Sequence, residues 1–442
     1  MSAVPAGLAT DQQPPMTVPL RYFLAGFAFL LAGGAVGLAN VAGVAPGFAR
    51  LAHVHLLLAG WVCLTIMGAM TQFVPVWSNA PVHSRRLANA ALALVAVGVA
   101  GIAGAFLAAN THWIHGFGGL LVAGIWTFAY NLARTLPPVR EFDATEAHFA
   151  FALACFVALA ALGFVLAFDL STSVLPFAGI ARPQVVGAHA TLAVFGAILS
   201  TVFGALYQLA TMFTQTEIAG RSRHLAHVEY AYPVGVVALA TGRLLAVGPL
   251  AVAGGLLMTT GALAFAVLLA AKLYEGRVER TPMLTRYAVA AVALAAWSPL
   301  AAREWLAAPL ASDALFGPTM GVHLLFVGVV GFVVMGSLYH VVPFIVWVHR
   351  YSDRLGFEPV PMIDDLYDDR LAAADGLLVT LGAATLILGQ TGVAPEAASL
   401  VGGVALAAGF VVFTANLVGV VYRHGRVLPE RFSGQPESEN AD

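Results

Sequence analysis

The sequence predicts an all-α polytopic membrane protein with twelve transmembrane helices in three four-helix arcs of pseudo-threefold symmetry. Composition, span count and an internal repeat carry that prediction. Hydrophobic residues make up 60% of the 442 and charged residues only 10%, against about 25% charge in an ordinary soluble domain. The mean hydropathy is +0.85. This excludes a soluble enzyme, a disordered chain and a nucleic-acid binder. A net charge of -2 leaves no overall field to steer an anionic partner. Cys63 and Cys155 lie inside apolar runs, so neither a disulfide framework nor a CxxCH haem attachment is present.

Crossing a hydrocarbon core of about 30 Å takes roughly 20 apolar residues. Twelve runs qualify, over 20–42, 51–77, 87–109, 112–133, 148–168, 185–213, 228–247, 250–273, 286–308, 318–347, 373–392 and 397–422. The ninth is interrupted by Pro299. Arg21 opens an apolar stretch with no clear small-residue cleavage site, so the first run reads as an uncleaved helix and not a signal peptide. With the N-terminus inside, 17 of the 21 basic residues fall on the inner side, and only Arg50, Arg182, Arg243 and Arg303 fall outside. The positive-inside rule then places both termini in the cytoplasm; the expected location is the cytoplasmic membrane of a prokaryote. The expected organisation is a cytoplasmic segment over 1–19, one membrane domain over 20–422 and a cytoplasmic tail over 423–442. The largest polar stretch, 351–370 with Asp364, Asp365, Asp368 and Asp369, is an inner loop.

The second, sixth and tenth spans share a pattern. From His55, residues Gly60, Gly68, Gln72 and Pro75 follow at offsets of 5, 13, 17 and 20, and from His323 the same offsets give Gly328, Gly336, His340 and Pro343. The sixth span joins them through Gly204 and Gln208. Aligned on Gly68, Gly204 and Gly336, a first column reads His53, His189, Gly321 and a second reads His55, Thr191, His323. Successive copies recur every fourth span, which is the basis for the three arcs.

Topology places His53, His55, His112, His115, His189 and His323 in the outer third of the membrane. Intramembrane polar groups are costly unless paired, so such a layer is a functional candidate. At about 100° per residue, His53 and His55 point about 200° apart and cannot both face one cofactor. Neutral imidazole ligates haem iron and copper. A bis-imidazole haem needs two histidines on facing helices, drawn here from His53, His55 and His323. A copper site wants about three imidazoles, for which His189, His112 and His115 are the candidates. Trp61, Trp113 and Trp126 are candidates to pack on a cofactor.

These residues resemble the catalytic subunit I of the haem-copper oxidase superfamily, which includes cbb3-type cytochrome oxidases and membrane nitric oxide reductases. The resemblance covers nearly the whole chain. It implies a low-spin haem b on His323, whose following glycine, polar residue and proline match the family's tenth helix. The second axial ligand comes from the second span; the resemblance favours His53 and the repeat favours His55. His189 takes the place of the family's copper-binding histidine. The family's high-spin haem ligand corresponds to Gly321, and the seventh span carries His224 and His227 at its inner end instead of an outer copper pair. A shorter resemblance joins the chain to twelve-span haem proteins of the nitric oxide response. The expected function is electron transfer to dioxygen or nitric oxide. The alternative is a non-catalytic haem or nitric oxide binding protein lacking the dinuclear centre, where a second haem and copper would sit. The implied partners are membrane lipid, a small cytochrome or quinol donor, and companion oxidase subunits; no nucleic acid is implied. A cofactor-free transporter is the third reading.

Overall fold

The computed structural model describes residues 12–216, 221–276, 278–319, 321–395 and 397–425, with 221 and 222 described in the backbone only. The side chain of Arg221, and Arg277, Arg426 and Arg431, lie outside the described residues, as do most of the expected N-terminal segment and tail.

All regular elements among the described residues are helical. In chain order they include α1 (Thr17–Val41), α2 (Ala49–Trp77), α3 (Arg85–Leu107), α4 (Ile114–Ala133), α5 (Ala144–Thr172) and α6 (Arg182–Thr214). After a nine-residue helical segment, Arg221–Glu229, comes α7 (Ala231–Leu244). Then follow α8 (Gly248–Glu275), α9 (Pro282–Ala307), α10 (Gly321–Arg350), α11 (Asp369–Gln390) and α12 (Ala397–Gly425). Eleven of these, all but α7, are long and apolar enough to cross a membrane. The sequence predicts a span over 228–247, but α7 is regular for 14 residues, about 21 Å of rise. Tyr230 breaks the helix before it, and Ala246, with φ of 54°, turns the chain into α8. Pro299 lies inside α9 without ending it.

This is the architecture of an integral membrane protein, with Val97, Leu257, Val404 and Val411 exposed on its outward helices. Helix α2 packs on α1, α3 and α4; α6 packs on α5, α7 and α8; α10 packs on α9, α11 and α12. Helix α1 also packs on α12. The hairpins α3/α4, α7/α8 and α11/α12 approach backbone to backbone, because a Cβ at Gly98, Gly254 or Gly402 would strike Leu121, Leu239 or Leu386 of the partner helix. Small residues that let helices close on one another are how membrane bundles gain packing energy without a hydrophobic driving force. In the 351–370 loop, Asp365 accepts from the Met362 amide and Asp368 caps α11 through the amides of Arg370 and Leu371.

Candidate cofactor-binding site

Helices α2, α6 and α10 each change from α to π geometry at one repeat position. The π segments are Leu56–Val62, Leu192–Leu199 and Leu324–Gly331, so each begins twelve residues before its repeat glycine, Gly68, Gly204 or Gly336. Single π turns are rare and concentrate at functional sites; here they follow directly on the second repeat column. Farther inward, the three helices enclose one cavity of about 70 Å³. Its walls include Ala69, Ala205 and Ser337, one residue after the repeat glycines, and Phe73, Leu209 and Val341, five residues after them. The sequence repeat is therefore also a repeat of backbone form and of exposure to one shared space.

Four of the six histidines expected in the outer third, His53, His55, His189 and His323, are anchored through one nitrogen each. His53 Nδ1 lies 2.8 Å from the Gly33 carbonyl of α1, and His189 Nδ1 lies 2.9 Å from the Leu159 carbonyl of α5. These two first-column residues are held in the same way, by the helix that precedes their own. In both cases a glycine one turn beyond the anchoring carbonyl makes the room: a Cβ at Gly37 would stand 2.5 Å from His53 Cε1, and one at Gly163 would stand 2.9 Å from His189 Cε1. In the second column, His55 Nδ1 bonds the Leu51 carbonyl at 2.8 Å and His323 Nδ1 bonds Gln390 Oε1 of α11 at 2.9 Å. A backbone carbonyl only accepts, so Nδ1 of His53, His55 and His189 carries the proton and each neutral ring then presents the Nε2 lone pair; His323 does the same with the Gln390 amide oxygen turned toward it. None of the four Nε2 atoms makes a hydrogen bond among the described residues. This is the arrangement of metal-ligating imidazoles, oriented from behind by a hydrogen bond at the other nitrogen.

His53 and His55, two residues apart, leave α2 in opposed directions. In the two columns Gly321 and Thr191 stand where the other repeat helices carry histidines, and neither offers a metal ligand. Thr191 is instead bonded at 2.8 Å by the buried guanidinium of Arg243, which also donates to the carbonyls of Pro309, Ala314 and Leu315 and lies over the Trp305 ring. In the sequence Arg243 reads as an outer-loop cation; in the fold it clamps the 309–315 segment to α6.

The remaining candidates lie elsewhere. His112 is exposed and packs edge-on against Trp113, while His115 packs against Phe168. No group of three or more His, Cys, Asp or Glu side chains suited to a metal occurs among the described residues. Trp61 is buried, with its Nε1 unpartnered, whereas Trp113 and Trp126 are exposed.

Toward the inner side, two buried polar clusters occupy equivalent places, and the sequence reading missed both. His148 of α5 and Arg286 of α9 lie against Gly204 and Gly336, as Tyr22 of α1 lies against Gly68. Tyr207 and Tyr339, each three residues after its repeat glycine, donate to Glu229 and Asp375. Glu229 is also bonded by His148 Nε2 at 2.9 Å, and Asp375 pairs with Arg286. His148 stands at the inner end of an apolar run, and no Asp or Glu interrupts the centres of those runs, so the sequence alone marks neither cluster. In the fold His148 is 4% exposed, Glu229 1% and Asp375 0%. Gln72, Gln208 and His340 form no bonds with one another among the described residues; Gln72 donates to Gln13, and His340 lies between Phe213 and Phe344.

Compared with known proteins, the chain matches no protein-family model and no curated protein.

Proposed function

We propose that the chain is a haem-binding redox membrane protein of the haem-copper oxidase subunit I type, with a low-spin haem b held between His53 of α2 and His323 of α10. One observation carries this reading: two imidazoles on different repeat helices, at the same end of the bundle, have Nδ1 engaged by an oxygen and Nε2 without a hydrogen bond among the described residues. Bound there, haem would supply reversible one-electron chemistry, with its potential tuned by the axial imidazoles and their outer hydrogen bonds. Gly33 and Gln390 would orient the ligands, and the surrounding apolar side chains would exclude water.

The proposal includes twelve spans in three arcs, α1–α4, α5–α8 and α9–α12, about a pseudo-threefold axis, with both termini cytoplasmic. Support comes from the π segments at one register, the shared cavity and the three glycine-zipped hairpins. Electrons would arrive from a small cytochrome or quinol, and companion subunits would cover part of the lipid-facing surface.

Within this class, Gly321 and the Arg243-bound Thr191 favour a non-catalytic member that relays electrons, over one that reduces dioxygen or nitric oxide. The test is a dithionite-reduced minus oxidised spectrum of the purified protein with haem extraction, repeated under carbon monoxide. Sharp b-type bands unmoved by carbon monoxide are the expected result. Purified protein free of haem contradicts the reading.

A further inference from the structure

The cavity between α2, α6 and α10 follows the repeat throughout. Counted from the repeat glycines, the residues at −3, −2, +1 and +5 of all three helices line it. Its small-residue layer is the +1 triad of Ala69, Ala205 and Ser337. The glycines themselves face outward: a Cβ at Gly68, Gly204 or Gly336 would stand 2.7, 2.8 or 3.0 Å from the Cβ of Tyr22, His148 or Arg286 on α1, α5 or α9. Each repeat helix is thus seated against an outer helix, and the small residues beside the glycines leave the axis unfilled. A void forfeits dispersion contacts in an otherwise close-packed interior, and a chance packing defect would not fall at the same four register positions of three helices.

The walls decide what the chamber can hold. Thr201 spends its hydroxyl on the Ala197 carbonyl at 2.8 Å, and Ser337 shares a 2.8 Å bond with Tyr287. Thr65 Oγ1, unbonded among the described residues, stands toward α1, where a Cβ at Gly26 would lie 3.2 Å from it. At the inner end the rings of Phe73, Trp77 and Phe149 stack, with successive centroids 5.1 and 6.0 Å apart. The Trp77 indole N–H is unbonded among the described residues, but it is one donor and no acceptor. A buried water needs about two to four polar partners, so these walls do not hold one. At about 70 Å³ the chamber is roughly half the size of an engineered apolar cavity of about 150 Å³ that stays dry and takes benzene or xenon. A lipid tail or an aromatic ring is too large for it.

We infer that this axial chamber is a dry binding site for a single apolar gas molecule of one or two heavy atoms, the class that includes dioxygen, nitric oxide and xenon. Transfer of such a molecule from water into apolar surroundings is favourable, and the bilayer around the bundle is itself apolar. The site is separate from the imidazole layer, since Ala69 follows His55 by 14 residues, about 21 Å of helix rise. Gas held there is therefore not a ligand of a metal in that layer.

The experiment is anomalous diffraction from crystals of the full-length, detergent-solubilised protein pressurised with xenon. One xenon on the axis between Ala69, Ala205 and Ser337 is expected. Ala205→Leu and Ala69→Leu each fill the chamber and abolish that peak, while xenon at lipid-facing surfaces persists and shows that the crystals were loaded and the variants folded. Xenon at the lipid-facing surfaces alone, ordered water in the chamber, or an axial peak unchanged in both variants overturns the inference. Haem content, measured on the same preparations, reports on the proposed function only, so either reading can fail without the other.

Discussion

The outer and inner layers of the three repeat helices handle buried polarity in opposite ways. On the inner side, the buried carboxylates are spent: Asp375 is taken up by Arg286 and Tyr339, Glu229 by His148 and Tyr207, and Tyr339 also accepts from Asn416, while Arg286 Nε and Gln72 Oε1 stay without a partner among the described residues. On the outer side, four imidazoles are fixed through one nitrogen and hold the other open. Both layers obey the same repeat, so the difference lies in residue type and not in backbone. A polar group whose bonds are all made within the bundle holds the bundle together, whereas one oriented from behind and left open in front is placed for a ligand.

The largest effect that would break this comparison is in the outer layer. His53→Ala or His323→Ala is expected to remove the haem of the α2/α10 site entirely, read as loss of its reduced-state absorbance, with little change in the unfolding of haem-free protein. In the inner layer the order reverses, and stability is what changes. Asp375→Ala strands the Arg286 guanidinium, 4% exposed in its side chain, and is expected to cost about 3–5 kcal/mol, measured by thermal unfolding in detergent. Arg243→Met removes donors to three carbonyls and to Thr191 and is expected to cost about 2–3 kcal/mol. Glu229→Gln should be milder, about 1–2 kcal/mol, since the amide still accepts from Tyr207 and His148 can shed its proton. Equal losses for Asp375→Asn and Glu229→Gln would erase the distinction between a fixed cation and a titratable partner. The smallest effect belongs to Glu358→Gln: its pair with Arg354 is exposed, and no measurable change in unfolding is expected.

Much of the outer layer was legible in the sequence, because the histidine columns are fixed by offsets from glycine and survive as register in the fold. The opposed facing of His53 and His55 follows from helical angle alone. What the offsets do not encode is how each ring is anchored. That depends on the anchoring carbonyls of Gly33 and Leu159, which any residue type supplies. The inner clusters were hidden for a different reason. His148, Arg286 and Asp375 stand one or two turns inside helix starts, next to loops rich in arginine and aspartate, where such residues usually face water. Only their common face, toward Gly204 and Gly336, marks them as buried. Arg243 misled in the same way at the outer ends, and α7 reads as a full span because the apolar run continues through the turns that bound it.

The central claim is that imidazoles of the outer layer are iron ligands across repeat helices. Its most direct test is the low-temperature electron paramagnetic resonance spectrum of the oxidised protein before and after His323→Ala. The account predicts a low-spin bis-imidazole ferric signal that disappears, or gives way to a high-spin one, in the variant. A spectrum without low-spin iron, or one indifferent to His323, would contradict it.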